Sequence, residues 1–199
     1  MILHELLGTE AHPQYRALEI ANGGRLYDFL NSAITVSIAV QRGYLSSALL
    51  KAFNFHAIAC LHTNAGEYRP CGVTVGTHIP IDHWRVNAHM EDFINYVNFN
   101  WGAIDAVTLA AYALWQLNYI HPFINGNGRT SRAACYFVLC VKSGGPLTGK
   151  TILPELLVRE RARYCKALAD VDASLMNGAF DLSPVHSLVS ELLQEQLQS

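Results

Sequence analysis

The sequence predicts an all-α fold with one short β-hairpin, on three observations. Apolar residues recur at helical spacing through most of the chain, and only the stretch after Asn64 alternates as a strand would. Of the 199 residues, 51% are hydrophobic and only 15% are charged, enough apolar material for a substantial core and too little charge for disorder. No internal repeat, low-complexity tract or linker divides the chain. The expected organisation is one domain over 1–199, with an N-terminal helical extension over 1–44 and a core over 45–195.

The elements follow in order. Residues 14–22 predict a short helix stopped by Gly23-Gly24, where the missing Cβ permits left-handed backbone. Leu26, Phe29, Leu30, Ile34, Ile38 and Val40 predict the next helix, up to Gly43. Residues 46–63 predict a helix capped by Ser46 or Ser47, with Leu49, Leu50, Phe53 and Ile58 on its apolar side. The segment NAGEYRPCGVTVGTHIPI, rich in Gly and Pro, predicts a hairpin lying on the helical body as a flap. Helices resume over 86–99 and 103–120, then over 129–142, 155–175 and 183–197.

Composition excludes several classes. A formal net charge of −2 gives no basic field for nucleic acid. No apolar run approaches the roughly 20 residues a membrane helix needs. The opening MILHELLGTEAHPQ lacks the basic and apolar regions of a signal peptide, so the expected compartment is the cytoplasm. The five cysteines form no CxxC pair and read as buried thiols in a reducing compartment. His56, His62, His78, His83 and His89 cluster in sequence, but none has HxxxH or HExxH spacing, so no histidine metal site is expected. Gly144–Thr151 matches the P-loop pattern literally. Pro154 would fall about one turn into the helix that a P-loop must begin at its lysine, and no sheet follows, so a helix-to-helix loop is expected instead.

The chemistry concentrates in His121-Pro122-Phe123-Ile124-Asn125-Gly126-Asn127-Gly128-Arg129-Thr130-Ser131-Arg132. An apolar helix ends at Ile120 and delivers His121 at its exit. The small, polar loop from Asn125 to Gly128 lets backbone N–H groups converge, and the next helix adds its unpaired N–H groups and positive dipole end. That is an anion site. Arg129 and Arg132, one helical turn apart, can add two guanidinium forks for phosphate oxygens. A histidine beside a phosphate nest can take a proton from an attacking hydroxyl. The bland reading of each piece is a helix end, a turn and a solvated basic face; their coincidence within one loop favours phosphoryl or nucleotidyl transfer.

This segment resembles the Fic family signature HPFx(D/E)GNGRxxR at every fixed position but one, because Asn125 stands where the family has Asp or Glu. Ala65-Gly66-Glu67-Tyr68-Arg69, with Val73, Val75, Gly76 and His78, is similar to the family's lead into its target-docking flap. Residues 160–172 are similar to the helix after the core, with Cys165 replacing a common tyrosine. The resemblance implies a Fic-type helical bundle that transfers AMP from ATP to a Ser, Thr or Tyr hydroxyl of a target protein. It implies His121 as general base, and backbone amides of Asn125, Gly126, Asn127 and Gly128, with the Asn127 side chain, on the inner phosphates. Arg129 would hold the outer phosphates and Arg132 the γ-phosphate. Phe123 would anchor the loop in the core.

The flap residues Val73, Val75, Gly76, Thr77 and His78 would pair with an extended target segment, and Tyr164 would lie by the adenine pocket or in the core. The family's acid binds Mg²⁺, so Asn125 implies a metal held chiefly by the nucleotide, with slowed transfer, a binding module without turnover, or transfer of another phosphate-containing group as the consequences. The family's autoinhibitory pattern (S/T)xxxE(G/N) finds only Ser187-Leu188-Val189-Ser190-Glu191, which fails at Leu192 and falls in a terminal helix. Without such a helix, restraint would come from a separate partner protein or from self-association into a homo-oligomer, or would be unnecessary because Asn125 already slows the reaction.

Overall fold

The computed structural model describes residues 2–76 and 78–199. Its helices are α1 (Leu3–Leu7), α2 (Pro13–Ala39), α3 (Ser47–Ile58), α4 (Val86–Phe99), α5 (Ala106–Ile120), α6 (Asn127–Lys142), α7 (Leu153–Arg159), α8 (Arg161–Met176) and α9 (Ser183–Gln198). A single 3₁₀ turn, His83–Arg85, leads into α4. The all-α expectation holds, and it holds for the reason the periodicity gave.

Helices α5 and α6 pack side by side at the centre, with α2 and α3 against α6, and α8 and α9 against α5. Asp105 starts α5 by accepting a hydrogen bond from the Thr108 N–H at 2.9 Å, and Ser46 starts α3 by accepting from the Leu49 N–H at 3.1 Å. Helix α6 is buried from Ala133 through Cys140 without interruption, so it is enclosed by neighbours on all sides. This rigid pair carries the signature loop between them.

Several boundaries differ from the sequence reading. Residues 14–22 and 26–40 join into one helix that runs straight through Gly23-Gly24. The glycines carry ordinary helical backbone there, and a Cβ at either would meet nothing within 4 Å. Two helical glycines cost about 1 kcal/mol each relative to alanine. Tyr15, Asn22, Leu26, Leu30 and Ile34, all buried on one face, supply the packing that carries the helix across them. The predicted 155–175 helix is two, broken at Glu160, whose ψ of 31° leaves the helical region. Helix α6 begins at Asn127, two residues before the expected start, so the polar loop supplies its first turn. Helix α1 lies outside every helix that the periodicity predicts.

The flap is smaller than a regular hairpin. Val75 and His78 exchange both backbone hydrogen bonds at 3.0 Å, and among the described residues no ladder extends from them. Thr77 lies outside the described residues. Of the cysteines, only Cys135 and Cys140 are buried; Cys60, Cys71 and Cys165 are exposed. Cys60 sits in the turn after α3 and Cys165 on the outward side of α8, so neither meets the core. Residues 144–151 form a loop, and α7 starts at Leu153 with Pro154 in its first turn, as the objection to a P-loop requires. No described helix is long and apolar enough to cross a membrane.

Candidate active site

Helix α5 ends when His121 turns into the left-handed region, φ 51°, with its N–H on the Leu117 carbonyl at 3.0 Å. The chain then descends through Pro122 and Phe123 and climbs back into α6. Phe123 is fully buried against Tyr68, as expected of an anchor. The Asn127 side chain closes the descent: its Oδ1 accepts from the Phe123 N–H at 2.9 Å and its Nδ2 donates to the Phe123 carbonyl at 2.8 Å. Asn127 therefore shapes the loop with both ends of its amide, where the resemblance implied a free phosphate donor.

Gly126 is required by geometry. Its φ is +76°, and a Cβ would sit 2.6 Å from Ile58 Cγ2. Its carbonyl accepts both the N–H and the hydroxyl of Thr130, which seals the first turn of α6. The N–H groups at the start of α6 precede the first intrahelical acceptor and make the loop an anion-competent helix start.

Burial pushes the His121 imidazole down to about 4, the nearby Arg69 and His78 lowering it further and the Asn118 backbone raising it in part. At neutral pH it is uncharged and can accept a proton. His78 is held by its ring: Nε2 lies 3.0 Å from the Tyr119 carbonyl and Nδ1 3.5 Å from Asp172. The flap is thus fastened to the C-terminal end of α5 and to α8, while Val75 stays exposed.

The arginines behave differently from each other. Arg129 reaches toward α2 and α3, donating to the Ala57 carbonyl at 3.1 Å and to Asn125 Oδ1 at 3.1 Å, and pairing with Glu19 at 3.1 Å. Arg132 turns back over Gly128 and beside Tyr164, and burial lowers its affinity for its proton. Tyr164 is itself buried, its hydroxyl accepting from Asn118 Nδ2 at 2.8 Å, so it belongs to the core. Arg129 and Arg132 line one cavity of about 500 Å³ between α2, α6 and α7, shared with Gly23, Gly24, Tyr27 and Glu155. The glycine pair that was read as a helix stop instead leaves this groove open opposite the arginines. His121 does not line it.

Asn125 is engaged at both ends. Its Oδ1 accepts from Arg129, and its Nδ2 donates to Glu10 Oε1 at 3.0 Å. The neighbours fix the amide orientation, since a carboxylate can only accept and a guanidinium only donate. A neutral oxygen already taken by a guanidinium does not fit a resident Mg²⁺ ligand.

Sequence reasoning missed four residues. Arg69, 2% exposed, donates through Nε to the His121 carbonyl at 2.8 Å, through one terminal nitrogen to Cys71, and through the other to Ile81. It therefore ties both ends of the flap to the signature. Asn54, fully buried, donates to the Asn125 carbonyl at 2.8 Å and accepts from the Gly66 N–H at 3.0 Å. Glu10 and Glu19 come from the N-terminal segment and meet the loop more than a hundred residues away. No periodicity or spacing could have paired them. Glu191, the one candidate for an inhibitory acid, pairs with Arg163 on the outer surface at 2.7 Å, away from Arg132.

Comparisons with known proteins agree on the family. Residues 44–139 match the model of the Fic/DOC family. A curated relative from Drosophila melanogaster, named protein adenylyltransferase Fic, is 35% identical over 157 residues, covering 73% of this chain and 30% of its own length. A second, from Drosophila persimilis, is 36% identical over 100 residues, half of this chain and 18% of the relative. The chain thus spans less than a third of the curated relatives it matches. Among solved structures, Fic-1 from C. elegans superposes with a TM-score of 0.74 at 22% identity, over 98% of this chain and 54% of that one. On its signature, the family model and these relatives, the region over residues 44–139 belongs to the Fic/DOC family.

Proposed function

We propose that this chain transfers AMP from ATP to a hydroxyl side chain of a target protein and releases pyrophosphate. The observation that carries the reading is the loop itself: a left-handed Gly126 opens α6, and the same helix turns Arg129 and Arg132 into one groove. In the reaction the target oxygen bonds to the α-phosphorus, the bond to pyrophosphate breaks, and the hydroxyl proton passes to His121. Burial keeps His121 neutral and ready to receive it. The α6 N-terminus and backbone amides of 125–128 meet the developing phosphate charge with dipoles already in place. Arg129 and Arg132 would take the outer phosphates, Arg129 after exchanging Glu19 and Asn125 for ligand oxygens. Mg²⁺ would arrive with the triphosphate, since Asn125 offers it no anionic oxygen. The flap would align an extended target segment, and residues 1–199 would act as one unit in the cytoplasm.

A second reading has its own support. Arg129 is engaged by three partners within the chain and Asn125 replaces the acid, which favours a nucleotide-binding module with little or no turnover. Intact-mass spectrometry after incubation with ATP and Mg²⁺ or Mn²⁺ separates the two. Gain of one AMP, absent in His121→Ala, is the expected result for transfer. No gain in this chain or in Asn125→Asp, with ATP binding retained, overturns it in favour of the binding module.

A further inference from the structure

The N-terminal segment brings a histidine and a carboxylate to a second histidine far away in sequence. Leu3 and His4 donate their N–H groups to the Cys60 and Leu61 carbonyls at 2.9 and 3.0 Å, which docks α1 on the turn after α3. His4 is thereby stacked on His62, ring centroids 4.5 Å apart. The loop after α1 then returns Glu10, whose Oε1 lies 3.0 Å from His62 Nε2. One nitrogen or oxygen from each of His4, Glu10 and His62 falls within 4.8 Å of the others.

The contacts at His62 are unresolved as hydrogen bonds. Its Nε2 lies 2.8 Å from the Tyr15 hydroxyl and 3.0 Å from Glu10 Oε1 at once. Carrying a lone pair, Nε2 accepts from Tyr15 but faces the carboxylate oxygen lone pair to lone pair. Carrying a proton, it must split that proton between two acceptors. A cation seated between His62 and Glu10 removes the conflict, and Tyr15 can then donate to Glu10, which already lies within its reach.

We propose that His4, Glu10 and His62 form a binding site for a divalent transition-metal ion of the zinc class. Two imidazoles and one carboxylate make a borderline donor set that suits zinc and its neighbours and disfavours Mg²⁺, which selects oxygen. Bonds of about 2.1 Å to such an ion put neighbouring ligand atoms roughly 3.0–3.4 Å apart. The His62–Glu10 separation already has that value, and His4, whose ligand atom lies within 4.8 Å of both, completes the set by turning its ring out of the stack toward the same ion. Asn125 donates to Glu10 from the signature loop and orients this ligand from outside, as metal-bound carboxylates require. The site is separate from the phosphate loop in its donors and does not depend on the transferase reading.

The test is titration of the metal-stripped full chain with Zn²⁺ against a chromophoric chelator, and with Co²⁺ followed by absorption. The expected result is one ion per chain at micromolar affinity or tighter, with cobalt d–d bands and no thiolate charge-transfer band. His4→Ala and Glu10→Gln should each weaken binding about tenfold or more. Glu10→Gln keeps the size of an exposed side chain, and circular dichroism with thermal unfolding in chelator verifies that both variants fold. Affinity unchanged in both variants overturns the proposal. So does a thiolate band that disappears in Cys60→Ser, or the absence of binding at millimolar metal.

Discussion

The signature loop and the N-terminal segment that lies over it meet at two points, yet they are built in opposite ways. Within the loop the bonds are short in sequence: Asn127 to Phe123, Thr130 to Gly126 and Arg129 to Asn125 all span one helical turn. The segment over it is held by distant partners, with Glu10 on Asn125, Glu19 on Arg129 and Tyr15 on His62. Its acids are partly exposed, whereas Asn127, Thr130 and Ser131 are buried. A loop built from local bonds keeps its shape whatever covers it. The partly exposed acids of the segment can be exchanged for a ligand at small cost, because exposed contacts such as Glu19–Arg129 contribute about 1 kcal/mol or less.

The largest effect should come from breaking the loop itself. Gly126→Ala forces a side chain into left-handed backbone and into Ile58, and about 1–3 kcal/mol of stability should be lost from the backbone alone. Urea unfolding measures it, and a change within error would mean that the loop is softer than its bonds indicate. Losing Arg69 as Arg69→Met strands the carbonyls of His121, Cys71 and Ile81. Stability should fall by about 1–3 kcal/mol, with the flap more open to proteolysis than in Gly126→Ala.

Acid sharpens the comparison next. The folded His121 sits near 4 and the unfolded one near 6.5, so the unfolded state binds more protons between these values. Stability should therefore be full above pH 6.5 and fall as pH drops toward 4, with His62 shifted in the same direction. His121→Ala should flatten that slope in urea midpoints taken across the window; an unchanged slope would place the loss elsewhere.

Glu19→Gln comes last. It should leave stability within about 1 kcal/mol and tighten ATP binding a few-fold by calorimetry, because Arg129 is released. Weaker binding would show that Glu19 positions Arg129 for the ligand instead of holding it back. A stability loss as large as that of Gly126→Ala would erase the contrast between the two regions.

Much of the site was legible because its logic is local. His121 at a helix exit, the glycines of the turn and the arginines one turn apart follow from residue types at short spacing, whereas the buried Phe123 follows from the family resemblance. The Gly23-Gly24 pair misled for the converse reason. Its local propensity favours a stop, and the packing of Tyr15, Leu26, Leu30 and Ile34 overrides about 2 kcal/mol of propensity. Cys165 was read as buried on residue type alone, although its position on α8 faces solvent.

The sequence by itself determined the fold class, the order of helices and the loop whose backbone shape its glycines and Asn127 demand, since all of these rest on interactions within a turn or two of chain. Only the tertiary structure decided that the glycine pair opens a groove, that Arg69 and Asn54 fasten the loop from elsewhere, and that Asn125 is shared between Arg129 and Glu10. Apart from the local Arg129–Asn125 bond, those contacts join residues tens to more than a hundred positions apart. Their partners are chosen by how helices pack, and packing is a property of the whole core that no local pattern carries.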